Sequence, residues 1–240
     1  MSKKIYYIIK SELHYFPPCM SQIRMLKKLG LDIVVIYGSS NQSALNVLKD
    51  DNIPYICIGE QRGKYKGKLD KVNNWLYFRK QFKIFSKKIQ KDAFLWFGNA
   101  ESALPLVGLI KNEYCISFLE LMDEFRLKIF MFKPLVKKAK FITVCEETRG
   151  ILMKFWWKLN YMPYVFPNKP FNLDRQHNQR GKIIQSQTAI DQIKNKDFII
   201  YQGIFQNFSY LSEIAKALNQ LNSNLYLVLM GIDRDNIYDK

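Results

Sequence analysis

The residues of this chain that could do chemistry are two histidines, a few acids that follow apolar runs, and several glycines at run ends. His14 comes after the apolar run Ile5 to Ile9. That puts it at the carboxyl end of a first strand, the edge at which open α/β sheets bind ligands. An imidazole there suits a general base or a phosphate contact, and it also reads as an ordinary loop histidine. Glu120 and Glu146 follow two further apolar runs and fall on the same edge. Carboxylates at that place can bind hydroxyl groups, or simply cap the helices that come next. Gly203 ends the run 198–201 ahead of a helix. A glycine in that position lets backbone amides approach a diphosphate at a helix N-terminus, or merely closes a strand. Gly38 and Gly98 read as strand terminators. Asp233-Arg234-Asp235 has the spacing of a carboxylate metal clamp, but with nothing after it to back the clamp no metal site is expected. Cys19, Cys57, Cys115 and Cys145 never form a CxxC pair, which excludes a zinc ribbon or a thioredoxin-type centre. Three of the four lie in apolar runs and read as small buried hydrophobes in a reducing cytoplasm.

Charge adds a second line of argument. Lys and Arg number 37 against 21 acids, a net of +16, and aromatic residues reach 15%. Such a balance calls for a polyanionic partner, whether nucleic acid, anionic lipid or a phosphorylated substrate, unless it only reflects a Lys-rich genome. Nucleic acid is not the expected partner, because no zinc-knuckle, RRM or homeodomain signature accompanies the charge. The basic residues cluster: residues 60–91 carry eleven Lys or Arg against Glu60 and Asp70. A helix over 74–90 would set Leu76, Phe78, Phe82, Phe85 and Ile89 on an apolar face flanked by Arg79, Lys80, Lys83, Lys87 and Lys88. Basic-aromatic stretches recur at 125–140 and 153–161. Helices of this kind lie on anionic membrane surfaces, though their apolar faces also serve to cover a sheet. Trp156 and Trp157 are adjacent, so they point about 100° apart on a helix and are hard to bury together. Lys83, Lys87, Lys88, Trp156 and Trp157 are therefore expected to face a membrane. No apolar run approaches the roughly 20 residues that span a bilayer, and the apolar part of residues 1–10 is too short for a signal segment.

The elements that must position these residues follow from periodicity. Short apolar runs alternate with helical patterns through residue 168, giving seven strands. The runs lack period-two polarity, so both faces of the sheet are covered. This predicts an α/β fold with a parallel, doubly wound, Rossmann-like sheet. Ser21 is expected to cap a helix running through Lys28, and Pro134 to break or kink a helix over 125–140. Residues 1–170 form the first domain in this reading. The Gln/Asn-rich stretch 171–197 is a linker, and 198–240 holds one strand–helix–strand repeat, an incomplete second Rossmann-like unit.

Four stretches carry a resemblance. They are PPCMSQIRMLKKLGLDIVVIYG (17–38), FITVCEETRGIL (141–152), YVFPNKP (164–170), and FIIYQG with the following helix and YLVLMG (198–231). In order and spacing they resemble the GT-B glycosyltransferases, of the retaining, sugar-nucleotide-dependent kind used in capsule and polysaccharide assembly. The resemblance implies sugar transfer from a nucleotide-sugar donor to a lipid-linked or polysaccharide acceptor, with no cofactor beyond that donor. It places the acceptor on the first domain and the donor on the second, at the cytoplasmic face of the plasma membrane. It makes His14 and Glu120 the catalytic candidates, Glu146 an acceptor-side residue and Gly203 a donor-binding one. The chain also departs from the family. Where many relatives carry Asp-x-His-Glu it reads Ser117-Phe118-Leu119-Glu120, and no basic residue follows Gly203. The family's pair of donor-holding glutamates would lie beyond residue 240. Little or no transferase activity is therefore expected of these 240 residues. The alternative is a non-catalytic membrane- or partner-binding module derived from such an enzyme.

Overall fold

The structure is a computed structural model that describes residues 3–59, 68–122, 126–171, 191–205, 210–221 and 225–233. The basic run 60–67, most of the linker stretch with His177, and Arg234-Asp235 lie outside the described residues. Two compact units divide the chain, Met1–Leu173 and Asp174–Lys240.

The first unit is a seven-stranded sheet flanked by helices. Its strands are β1 (Ile5–Glu12), β2 (Ile33–Ser39), β3 (Tyr55–Cys57), β4 (Phe94–Phe97), β5 (Tyr114–Phe118), β6 (Phe141–Val144) and β7 (Tyr164–Val165). They lie in the order β3-β2-β1-β4-β5-β6-β7, and every pairing is parallel. The helices are α1 (Pro17–Lys28), α2 (Gln42–Asp50), α3 (Lys68–Phe85), the short α4 (Ala100–Ala103), α5 (Arg126–Lys138) and α6 (Glu147–Trp157). Side chains alternate between two cores. Tyr7, Ile9, Val35 and Tyr37 point to the layer of α1 and α2 with Ile23 and Leu26. Tyr6, Ile8, Ile36 and Phe97 point to the layer of α3, α5 and α6 with Phe82, Phe132 and Trp157. Burial on both faces is why the strand sequences read as continuous apolar runs.

Several local expectations are corrected. The first helix starts at Pro17, not at a Ser21 cap, because two prolines occupy its first turn, where a fixed φ helps and a missing N–H costs nothing. The helix α5 runs unbroken through Pro134. The β3 residue Cys57 is exposed, whereas Cys19, in the helix α1, is buried. Trp157 has 0% exposure: its ring lies tilted against Phe118 at 5.0 Å, and its indole N–H donates to the Ile129 carbonyl at 2.8 Å. Its expected membrane-facing role is therefore wrong, since a 100° step does not prevent the larger ring from turning inward while Trp156 stays half-buried. Leu76, expected on the apolar face of α3, is instead exposed. Arg79, read as part of a flanking charge, donates to the carbonyls of Pro105 and Val107 and closes the turn after α4.

A buried polar group crosses the α1 side of the sheet. The Tyr7 hydroxyl donates to Gln22 Oε1 at 2.6 Å, and the Trp96 indole and Thr143 hydroxyl both reach Ser117 Oγ at 2.9 Å. Ser117 in turn lies 3.4 Å from the same Gln22 oxygen. Four strands are thus tied to one residue of α1, with each donor satisfied away from water. At Gly38, an added Cβ would fall 1.8 Å from the Lys10 carbonyl oxygen, so only glycine lets β2 and the end of β1 close to this distance.

The second unit contains β8 (Phe198–Phe205), α7 (Leu211–Gln220) and β9 (Tyr226–Asp233), with β8 and β9 parallel in register Phe198 to Tyr226 through Phe205 to Asp233. Here β8 runs four residues past the expected strand end. Gly203 therefore sits inside the strand, paired with Gly231, and does not end it.

Candidate functional site

The strand order reverses direction between β1 and β4. The chain builds β1, β2 and β3 outward to one side, then returns to lay β4 through β7 on the other. In open parallel sheets the crevice at such a switch point, beyond the carboxyl ends of the strands, is where ligands sit. A cavity of about 400 Å³ occupies that place. The turn after β1 supplies Tyr15, Phe16 and Pro18, and the turn after β4 supplies Asn99, Ala100 and Glu101. The loop after β5 gives Leu119 to Met122, α5 gives Lys128, and the turn after β7 gives Asn168.

Each polar side chain in the cavity is positioned by identifiable contacts. Asn99 caps α4: its Oδ1 accepts from the Ser102 amide at 2.9 Å and from the Ser102 hydroxyl at 2.5 Å. The Ser102 oxygen also accepts from the Lys10 amide at 2.7 Å, which fastens this corner to β1. Asn99 is only 5% exposed, and its Nδ2 is buried with no hydrogen-bond partner. A buried donor without an acceptor is costly, and Asn99 also lines the cavity, so a rotation of this side chain would offer the amide to a ligand oxygen. Glu120 follows Leu119, whose carbonyl accepts from Arg149 Nη1 at 2.6 Å and from the Cys145 thiol at 3.3 Å. Burial pushes the Cys145 thiol up, which the nearby Arg149 guanidinium partly opposes, so the sulfur stays a neutral donor to that carbonyl. Glu101 and Glu120 are exposed carboxylates that both line the cavity, one from α4 and one from the loop after β5. Carboxylates, amides and a tyrosine ring around a solvent-filled hollow suit a polyhydroxyl ligand: the oxygens accept from hydroxyls, the amide donates, and the ring covers an apolar sugar face.

The structure separates the sequence candidates. Glu120 lines the cavity. His14 does not: its Nδ1 accepts from the Asn41 amide at 3.2 Å, its Nε2 lies 3.6 Å from Glu12, and its ring lies against Tyr15 at 4.3 Å. The imidazole thus fastens the start of α2 to the turn after β1, a positioning contact. Glu146 is exposed at the start of α6 and pairs with Arg149 at 3.3 Å, outside the cavity lining. Lys83, Lys87 and Lys88 are exposed at the end of α3 and the turn beyond it. Among the described residues, no three His, Cys, Asp or Glu side chains converge as metal ligands. No helix among them is long and apolar enough to cross a membrane. Asn99, Glu101, Lys128 and Tyr15 were not singled out from sequence. The available signal was topological: Asn99 directly follows Gly98 after a strand, and Glu101 comes three residues after that glycine, at the edge where ligands bind.

No family model and no curated protein matches the sequence. Solved structures match in fold. HepE of Anabaena in complex with UDP-glucose superposes with a TM-score of 0.67 at 10% identity, over 98% of this chain and 62% of that one. A glycosyltransferase from Rickettsia africae gives 0.56 at 12% identity, over 98% of this chain and 70% of that one. A UDP-N-acetylglucosamine 2-epimerase from Rickettsia bellii gives 0.58 at 11% identity, over 98% and 63%. The chain therefore spans between about 62% and 70% of the length of these neighbours. Transferases and an epimerase share the fold, so the fold by itself does not choose the reaction. What the comparison establishes is the architecture: a doubly wound α/β fold of the GT-B glycosyltransferase type.

Proposed function

We propose that this chain is the acceptor side of a nucleotide-sugar-dependent glycosyltransferase of the retaining type. In this reading it works in cell-surface polysaccharide or capsule assembly, at the cytoplasmic face of the plasma membrane. The acceptor is a lipid-linked or polysaccharide intermediate held in the switch-point cavity. The observation that carries the reading is the buried, unpartnered Asn99 amide in a hollow flanked by Glu101 and Glu120. Glu120 is the group best placed to touch the acceptor hydroxyl that attacks the sugar. Support for the donor comes from the fold shared with a UDP-glucose complex.

The second unit bears on catalysis. In the second unit β8 pairs with β9, and Ile199, Ile200, Leu229 and Met230 are each more than a third exposed. The second reading is a non-catalytic membrane- or partner-binding module derived from such an enzyme. The test is incubation of the chain with radiolabelled UDP-glucose and a bacterial membrane extract. Label entering the extract in proportion to the chain supports the enzyme. Acceptor saccharide retained by the chain without label transfer selects the binding module. The absence of both transfer and retention would contradict the proposal.

A further inference from the structure

The ladder between β5 and β6 ends at the pair Phe118 and Val144. The next residues on the two strands are Leu119 and Cys145. From Leu119 onward the loop after β5 lines the switch-point cavity through Leu119, Glu120, Leu121 and Met122. A loop that leaves a ladder gives up the regular backbone bonds that fixed it, and its polar groups need other partners. Side chains take over here at the first residue. The Leu119 carbonyl accepts from Arg149 Nη1 at 2.6 Å and from the Cys145 thiol at 3.3 Å. A thiol is a weak donor and a guanidinium bond is charge-assisted, so Arg149 is the stronger of the two holds. Arg149 is itself oriented. Its Nε lies 3.3 Å from Glu146 Oε1, and its side chain is only 31% exposed.

We infer that Arg149 is a positioning residue for Glu120. The Leu119 carbonyl belongs to the same planar peptide unit as the Glu120 N–H. Fixing that oxygen fixes the plane, and with it the point from which the Glu120 side chain departs. Glu120 is exposed, so packing around its carboxylate cannot do this. Glu101, the other cavity carboxylate, has a separate support: it departs from α4, whose N-terminus Asn99 caps. A helix pair three residues apart explains the contact of Arg149 with Glu146, but not its reach to a carbonyl thirty residues earlier. This inference deepens the acceptor-side reading and rests on it for what Glu120 does to a saccharide. The hold on Glu120 rests on geometry alone.

Two measurements on the 240-residue chain keep those apart. The first uses no ligand. Backbone 15N relaxation should give the Glu120 amide an order parameter of about 0.85 in the parent and below about 0.6 in Arg149→Met, a side chain of similar length without donors. The Glu101 amide should not change, and values that stay high across β6 and α6 show that the fold is kept. The second titrates the protein with methyl glycosides of glucose, galactose and N-acetylglucosamine. Glu120→Gln should weaken the bound glycoside about threefold, the scale of one exposed hydrogen bond. Arg149→Met should weaken it by no more than that. It should add nothing once Glu120→Gln is present, because a residue that acts through another has no effect without it. With Glu101→Gln it should be fully additive. Arg149→Lys keeps the charge but offers one ammonium to two acceptors, and should recover part of the loss. A Glu120 order parameter unmoved by Arg149→Met, or a loss that adds fully to that of Glu120→Gln, would overturn the inference. If no glycoside binds the parent, the acceptor reading falls, and the order parameter alone decides whether Arg149 holds Glu120.

Discussion

Burial decides what individual residues do here, and it separates look-alikes. Trp156 and Trp157 are sequence neighbours, yet only Trp157 is fully enclosed. Trp157→Ala should cost about 3–5 kcal/mol in urea unfolding, from a lost core ring and a lost hydrogen bond to Ile129, and Trp156→Ala much less. Equal losses would contradict the assignment. The thiols divide in the same way. Burial pushes Cys19 up to about 12 from an ordinary 9.0, and burial with the adjacent Cys19 raises Tyr7. A raised folded value means that the folded state keeps a proton the unfolded chain gives up. That stability is complete below pH 9.0 and falls as pH rises toward about 12. The urea midpoint should therefore drop as pH rises above 9.0 toward about 12, and drop less in Cys19→Ala. A drop of the same size in both proteins would remove Cys19 from the account. Sequence made Cys115 recognisable as a small core residue, but it showed neither the burial of Cys19 nor the exposure of Cys57. Exposure of a three-residue edge strand, and burial of a helix face beginning at two prolines, are tertiary facts.

At the scale of elements, the strands were legible because parallel burial writes them as continuous apolar runs. All seven of the first unit were found within a few residues. Helix starts were harder, since Pro17-Pro18 reads as loop until the following turn is known to be helical. The basic helices show where amphipathic reasoning stops. The inner faces of α5 and α6 are core, through Phe132, Leu135, Met153 and Trp157. The outer faces carry Leu127, Phe130, Ile151 and Phe155, which are 69%, 71%, 54% and 81% exposed. Residues 126–158 hold nine Lys or Arg against Glu146 and Glu147, so this exposed apolar face lies in a cationic field. On the membrane reading, these aliphatic and aromatic groups replace Trp157 as the inserting residues. Phosphatidylglycerol vesicles should co-sediment the protein more than neutral ones, with binding that weakens as salt rises beyond a screening length of about 8 Å. Phe130→Glu with Phe155→Glu should reduce that binding strongly, and Lys83→Glu with Lys87→Glu only modestly. Vesicle binding untouched by the phenylalanine changes would place the membrane contact elsewhere.

For the whole molecule, the sheet order explains why a site exists at all. Reversal between β1 and β4 opens one crevice, and the turns that follow β1, β4, β5 and β7 converge on it. Glu120 could be marked from sequence because it directly ends a strand run. Asn99 and Glu101 could not, because their meaning depends on β4 being the neighbour of β1, which no local pattern encodes. His14 lies at the expected edge, and there its ring accepts from the Asn41 amide at the start of α2. The central claim is that this cavity binds a saccharide through its carboxylates and the buried Asn99 amide. Saturation-transfer NMR with methyl glycosides of glucose, galactose and N-acetylglucosamine tests it directly. The account predicts saturation of ring protons in at least one glycoside. It also predicts a roughly tenfold loss of affinity in Glu101→Gln with Glu120→Gln, the scale of charge-assisted hydrogen bonds, without loss of fold because both carboxylates are exposed. No saturation of any glycoside, or saturation unchanged in the double variant, would contradict it.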